Sequence, residues 1–189
     1  MKKKLLVGIV GARNCVFCLV QGVAFYRDVP EDAEVPGLMH VELGGYRIDD
    51  IEFSCAFDIS AVKLGRLLSE AVNAEPNNTI QFAKIPPGEA QVHRGPTLDG
   101  LGRYLRDAVK ESNAAPADVA QVLRDTNTQV LVSYLPVGSE EATKFYASQA
   151  LAAGCAFINC IPSFIASHPA SAEKFPAAWT YLRFNPLLL

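Results

Sequence analysis

Apolar residues in this chain gather in short charge-free runs, and helically spaced stretches lie between them. Leu5 to Val10 is the first run. A run so short and so apolar predicts a strand buried on both faces, as in a parallel sheet. Gly11 breaks it. Asn14 is placed to cap a helix over Cys15 to Tyr26, with Leu19, Val23 and Tyr26 on one side. Ile51 to Phe57 predicts a second strand ending at Asp58. Ser60 to Val72, apolar at Val62, Leu64, Leu67, Leu68 and Val72, predicts a second helix. Ala90 to His93 reads as a short strand. Leu101 to Glu111 and Pro116 to Asp125 read as two helices, with Pro116 suited to a first helical position. Gln129 to Tyr134 is another buried strand. Ser139 is placed to cap a helix running to Ala153, with Glu140 and Glu141 in its first turn and Gly154 as its stop. Cys155 to Asn159 predicts the next strand, and a short helical piece is expected near Ala170 to Phe175.

Strands alternating with helices predict an α/β fold, a Rossmann-like, doubly wound and mainly parallel sheet covered on both faces. Two passages fall outside that alternation. Asp28 to Asp50, with two prolines and Gly44-Gly45, is too long for an ordinary connection and reads as an insertion or a functional loop. Asn73 to Glu89 reads as a Pro- and Asn-rich connection.

Composition narrows the class. A chain of 189 residues makes one domain, or one plus a fragment. Half of it is hydrophobic and 20% charged, enough to build a core. A net charge of −3 argues against a nucleic-acid or anionic-membrane partner. Lys2 to Lys4 before the first apolar run read as an exposed N-terminus rather than a signal peptide, and no apolar run reaches membrane-spanning length. The odd count of five cysteines fits reduced thiols in a cytoplasmic protein.

Candidate chemistry clusters where strands end. Strand, Gly11 turn and helix N-terminus form the opening unit of a dinucleotide-binding fold, in which free N–H groups and the positive dipole end face a pyrophosphate. Of the three glycines in G-x-G-x-x-G only the first stands; Arg13 and Val16 occupy the other two places. Asp58 is placed either to bond adenosine ribose hydroxyls or to serve as a helix cap or solvated loop acid. Cys15 and Cys18 form a Cys-x-x-Cys at a helix start, readable as a redox pair, half a zinc site, or core packing. Ser133 to Ser139 and Asn159 lie past strand ends, where ligands bind in open α/β sheets and where ordinary loops also pack. His40, His93 and His168 share no metal-ligand spacing, and no Gly-x-Ser-x-Gly is present.

Several longer segments resemble one family. Gln21-Gly-Val23, Pro36-Gly-Leu-Met-His40, Gly44-Gly-Tyr46, Phe57-Asp58, Asn77-Asn-Thr-Ile80, Arg94-Gly-Pro-Thr-Leu-Asp-Gly100 and Ser133-Tyr-Leu-Pro-Val-Gly-Ser-Glu-Glu141 are similar to the prokaryotic type of myo-inositol-1-phosphate synthase. Phe157-Ile-Asn159 and Phe164-Ile-Ala-Ser167 continue the likeness. The resemblance implies an NAD-dependent isomerase of inositol and phospholipid biosynthesis, homo-oligomeric, acting on glucose 6-phosphate with no net redox change. It places Gly11, Asn14 and Cys15 under the pyrophosphate and Asp58 at the adenosine ribose. It places Ser133, Tyr134, Leu135 and Pro136 along the cofactor, with Asn159 beside them. It assigns this chain no catalytic residue and no metal ligand.

Two departures qualify the resemblance. The family has glycine where Arg13 stands, and small residues at Val16, Phe17 and Cys18. Arg13 is expected to crowd the pyrophosphate, to carry backbone strain, and so to weaken NAD. The family also continues into a catalytic region, so this chain reads as an NAD-binding domain over residues 1–175, truncated before that region, with an unmatched tail over 176–189. Alone it is expected not to convert glucose 6-phosphate and to self-associate. The alternative is a non-catalytic module that associates with an intact synthase.

Overall fold

The computed structural model describes residues 4–30, 33–102 and 106–165. The elements in chain order are β1 (Leu5–Val10), α1 (Asn14–Phe25), β2 (Glu42–Leu43), β3 (Tyr46–Arg47), a 3₁₀ turn (Ile48–Asp50), β4 (Ile51–Asp58), α2 (Leu68–Ala71), β5 (Gln91–Arg94), α3 (Val119–Asp125), β6 (Val130–Ser133), α4 (Glu140–Ala153) and β7 (Ala156–Asn159). Five strands form one sheet in the order β5-β4-β1-β6-β7, and every neighbouring pair is parallel. β2 and β3 make a separate antiparallel hairpin inside the long 28–50 passage, turning at Gly44-Gly45. Counted along the sheet's own strands the order is 3-2-1-4-5. It reverses between β1 and β6, and such sheets bind ligands outside the strand ends at that reversal.

Both faces of the sheet are covered, which is why its strands read as continuous apolar runs. Val7 and Ile9 of β1, Ala56 of β4 and Val132 of β6 pack with Val16, Phe17 and Val20 of α1. Val10, Phe57 and Leu131 point the other way, against Val119 and Leu123 of α3 and Tyr146 and Ala150 of α4. Among the described residues no helix is long and apolar enough to cross a membrane.

Four expectations are corrected. Asn14 is the first helical residue of α1 and not its cap; Arg13 holds the cap position, without a side-chain bond. The helix expected over Ser60 to Val72 shrinks to the single turn of α2. Gly65 adopts φ +74, and the backbone there pairs with the edge strand instead: Gly65 N–H donates to Val92 C=O at 2.9 Å and Val92 N–H to Arg66 C=O at 2.9 Å. Covering an open edge takes precedence over helix periodicity. Residues 106–111 are not helical; Ala61 N–H donates to Lys110 C=O at 2.8 Å, in an extended pairing. α3 starts at Val119 rather than Pro116, because Asp118 caps it by accepting the Gln121 N–H at 2.9 Å. The helical piece near Ala170 to Phe175 and the 176–189 tail lie outside the described residues.

Candidate functional site

The loops after β1 and β6 meet at the reversal of strand order. Gly11 has φ +85, and a Cβ there would stand 3.0 Å from the Tyr134 carbonyl oxygen, so only glycine fits. The first turn of α1, Asn14 to Val16, begins three residues later. Its N–H groups have no helical carbonyl within reach, and the helix dipole makes that end electropositive. Arg13 between them has φ −120, an extended value that any residue adopts. The strain expected at this position is therefore absent.

A cleft of about 410 Å³ opens beside this loop. Gly11, Arg13 and Asp58 line it together with the segments 96–102 and 135–139 and the side chain of Tyr146. The 96–102 segment is anchored at Thr97 and Asp99. Arg94 pairs with Glu111 at 2.9 Å and donates to Thr97 Oγ1 at 3.0 Å. Asp99 accepts the N–H groups of Glu141 at 2.9 Å and Ala142 at 2.8 Å. Asp99 is thus the cap of α4. The expected cap, Ser139, holds the position but makes no side-chain bond, because a carboxylate takes both N–H groups more strongly than a hydroxyl would.

Asp58 is 6% exposed. Its Oδ2 accepts Ala12 N–H at 2.9 Å, and its Oδ1 accepts Ile59 and Ser60 N–H at 2.8 Å each. Of about four acceptor sites on a carboxylate, three are filled from the backbone. One remains free on Oδ2. The hydroxyl of Tyr146 makes no hydrogen bond among the described residues, and it packs so closely on Gly95 that no Cβ fits there. Burial, with the nearby Asp58 carboxylate adding to it, pushes the Tyr146 phenol above its ordinary range. Tyr146 therefore remains a neutral hydrogen-bonding group beside Asp58.

The structure divides the nine residues singled out above. Gly11, Asp58, Leu135 and Pro136 line the cleft. Asn14 and Cys15 sit exposed on the first turn of α1, and the Asn14 amide donates to Asn78 Oδ1 at 2.5 Å. Ser133 and Asn159 are register partners at the ends of β6 and β7, on the other side of β1 from Asp58. Ser133 is fully buried, and its hydroxyl has no partner among the described residues. The Asn159 side chain holds the turn that follows, donating to Ser163 C=O at 2.9 Å and accepting Ile161 N–H at 3.3 Å. Tyr134 is half-buried; burial, followed by Cys160, raises its phenol pKa. Cys15 and Cys18 are both exposed and free. Sequence reasoning did not find Tyr146, the cap role of Asp99, or the buried Lys63, which donates to the Ala12 carbonyl behind the Gly11 turn. The density of glycine, proline and acid in Arg94 to Gly100 was a signal for the Asp99 loop. Nothing local marked the other two.

Comparison with known proteins finds relatives that match over about half of their own length. The chain is 54% identical over 175 residues to inositol-3-phosphate synthase of Mycolicibacterium smegmatis, covering 93% of this chain and 48% of that one. It is 54% identical over 172 residues to the synthase of Corynebacterium glutamicum, covering 91% and 47%. The chain is thus similar to part of the inositol-3-phosphate synthases. It spans about half the length of the curated relatives it matches. Among solved structures, Ari2 superposes with a TM-score of 0.78 at 30% identity, over 93% of this chain and 52% of that one. A myo-inositol-1-phosphate synthase-related protein from Thermotoga maritima superposes with a TM-score of 0.66 at 20% identity, over the same shares, and shares the fold. No protein-family model matches the chain.

Proposed function

We propose that this synthase homologue is the dinucleotide-binding part of an NAD-dependent isomerase that converts glucose 6-phosphate to myo-inositol 1-phosphate, working in the cytoplasm on the route to inositol and phospholipids. The observation that carries the reading is the junction at the strand-order reversal. There a glycine that tolerates no Cβ, an uncapped helix N-terminus and a 410 Å³ cleft adjoin one another. The residues present fit an adenine dinucleotide. The first-turn N–H groups of α1, at Asn14 and Cys15, would take the diphosphate. Asp58 and Tyr146 would face the adenosine ribose from the cleft. Leu135 and Pro136 supply apolar wall. The Ser133 hydroxyl, with Asn159 beside it, would lie on the side left for the nicotinamide; it has no partner among the described residues, and a buried hydroxyl of that kind is the group a ligand would satisfy.

When bound, NAD supplies the hydride acceptor and donor. This chain's residues bind and orient it. Five free cysteines agree with a reducing compartment. Isothermal calorimetry of the purified chain with NAD tests the reading. One-to-one binding that is competed by ADP-ribose is expected; absence of any heat at millimolar NAD would reject it.

A further inference from the structure

A buried lysine stands behind the glycine loop, and the proposed cofactor contacts do not use it. Lys63 is 1% exposed. A lysine is almost never so buried unless its charge is compensated, and burial of both partners is costly. Its Nζ donates to the carbonyl oxygen of Ala12. The N–H of the same Ala12 donates to Asp58 Oδ2 at 2.9 Å. Asp58 is in turn fixed by the Ile59 and Ser60 N–H groups. Both backbone polar groups of one loop residue are thus held by side chains of opposite charge, and both side chains come from the end of β4 and the turn after it. Ala12 lies between Gly11, at φ +85, and Arg13, the cap position of α1. Any slack in its backbone would swing the first-turn N–H groups of α1.

We infer that Lys63 is a positioning residue for the diphosphate subsite: with Asp58 it clamps Ala12, so that the loop from Gly11 to Arg13 is set before a ligand arrives. The inference rests on the dinucleotide reading above. Burial lowers the Lys63 pKa, the neighbouring Asp58 carboxylate opposes that shift, and Arg13 adds to it. The clamp explains the expense of burying this charge. A preset loop spares a diphosphate ligand the ordering cost that a loose one would charge it. The coupling also runs both ways, so a ligand that needs the clamped loop must stabilise the clamp.

The test uses ADP and adenosine as probes and compares the wild-type chain with Lys63→Met and Lys63→Gln. For Lys63→Met, ADP should bind about tenfold more weakly while adenosine changes by less than about twofold. Lys63→Gln, whose amide can still donate to Ala12, should recover part of the loss. Undiminished ADP binding by Lys63→Met, or equal losses for ADP and adenosine, would overturn the inference. If neither ligand binds even the wild type, the dinucleotide reading itself fails. A second measurement does not depend on the variants folding. In the wild type, acetylation of Lys63 followed by mass spectrometry should be slow beside the exposed Lys144, and slower again with ADP but not with adenosine. A Lys63 rate that ADP leaves unchanged, or one equal to that of Lys144, would contradict the clamp.

Discussion

At the residue scale the site turns on two adjacent backbone positions of opposite character. Gly11 needs both its positive φ and its missing Cβ. Gly11→Ala should therefore cost about 1–2 kcal/mol from the left-handed backbone alone, and more from the contact with the Tyr134 carbonyl. Denaturant unfolding of the two forms checks this, and equal midpoints would show that the loop after β6 yields freely. Arg13 is the reverse case. Its extended backbone removes the strain expected from sequence, so its effect on a ligand is set by the side chain lining the cleft. Charge attraction at a partly exposed site contributes about 1 kcal/mol or less. The stem meanwhile occupies space that a diphosphate on this loop would need. Arg13→Gly is expected to tighten NAD binding, by about tenfold for each 1.4 kcal/mol recovered. Weaker binding by Arg13→Gly in calorimetry would identify the guanidinium as a phosphate ligand.

At the element scale, the central strands and the two long helices were legible because burial on both faces leaves an unmistakable apolar run and helical spacing survives in α1 and α4. Less was legible where tertiary pairing overrides local pattern. Leu64, Leu67 and Leu68 have helical spacing, yet the backbone around Gly65 and Arg66 is committed to the edge of β5. The Ser139 cap failed for a similar reason, since Asp99, distant in sequence, supplies a better acceptor. That Asp58 and Gly11 border the cleft was readable from their places after strands. Lys63, which donates to the Ala12 carbonyl between them, carried no local signal, because a lysine in an amphipathic stretch looks solvent-facing until the fold closes over it. Asp99 yields a prediction of its own. Asp99→Ala leaves two N–H groups of α4 uncapped and should cost about 0.5–2 kcal/mol. It should also release the loop over the cleft, read as faster amide exchange at residues 137–142. Unchanged exchange there would mean that the Arg94–Glu111 pair alone holds the loop.

At the scale of the whole molecule, stability at high pH follows from the buried ionisable groups. Burial, with Cys55 adding to it, pushes the Cys155 thiol from its ordinary 9.0 to about 11, and burial raises both Tyr134 and Tyr146. Groups with a raised folded pKa give stability that is complete below the unfolded value and lost as pH climbs through the folded one. Lys63, lowered by burial, acts in the opposite sense over part of the same range. With several groups against one, the urea midpoint should fall as pH rises from 9 past about 11. A constant midpoint would show that these side chains reach water readily.

The central claim is that an adenine dinucleotide lies across the end of β1, with its diphosphate on the first turn of α1 and its adenosine in the cleft beside Asp58. Mapping amide chemical shifts during an NAD titration tests this most directly. Saturable shifts should concentrate at Gly11 to Val16, at 96–102 and at 135–139, with the starts of β1 and β4 unmoved. Shifts confined to other surfaces, or none at saturating NAD, would contradict it.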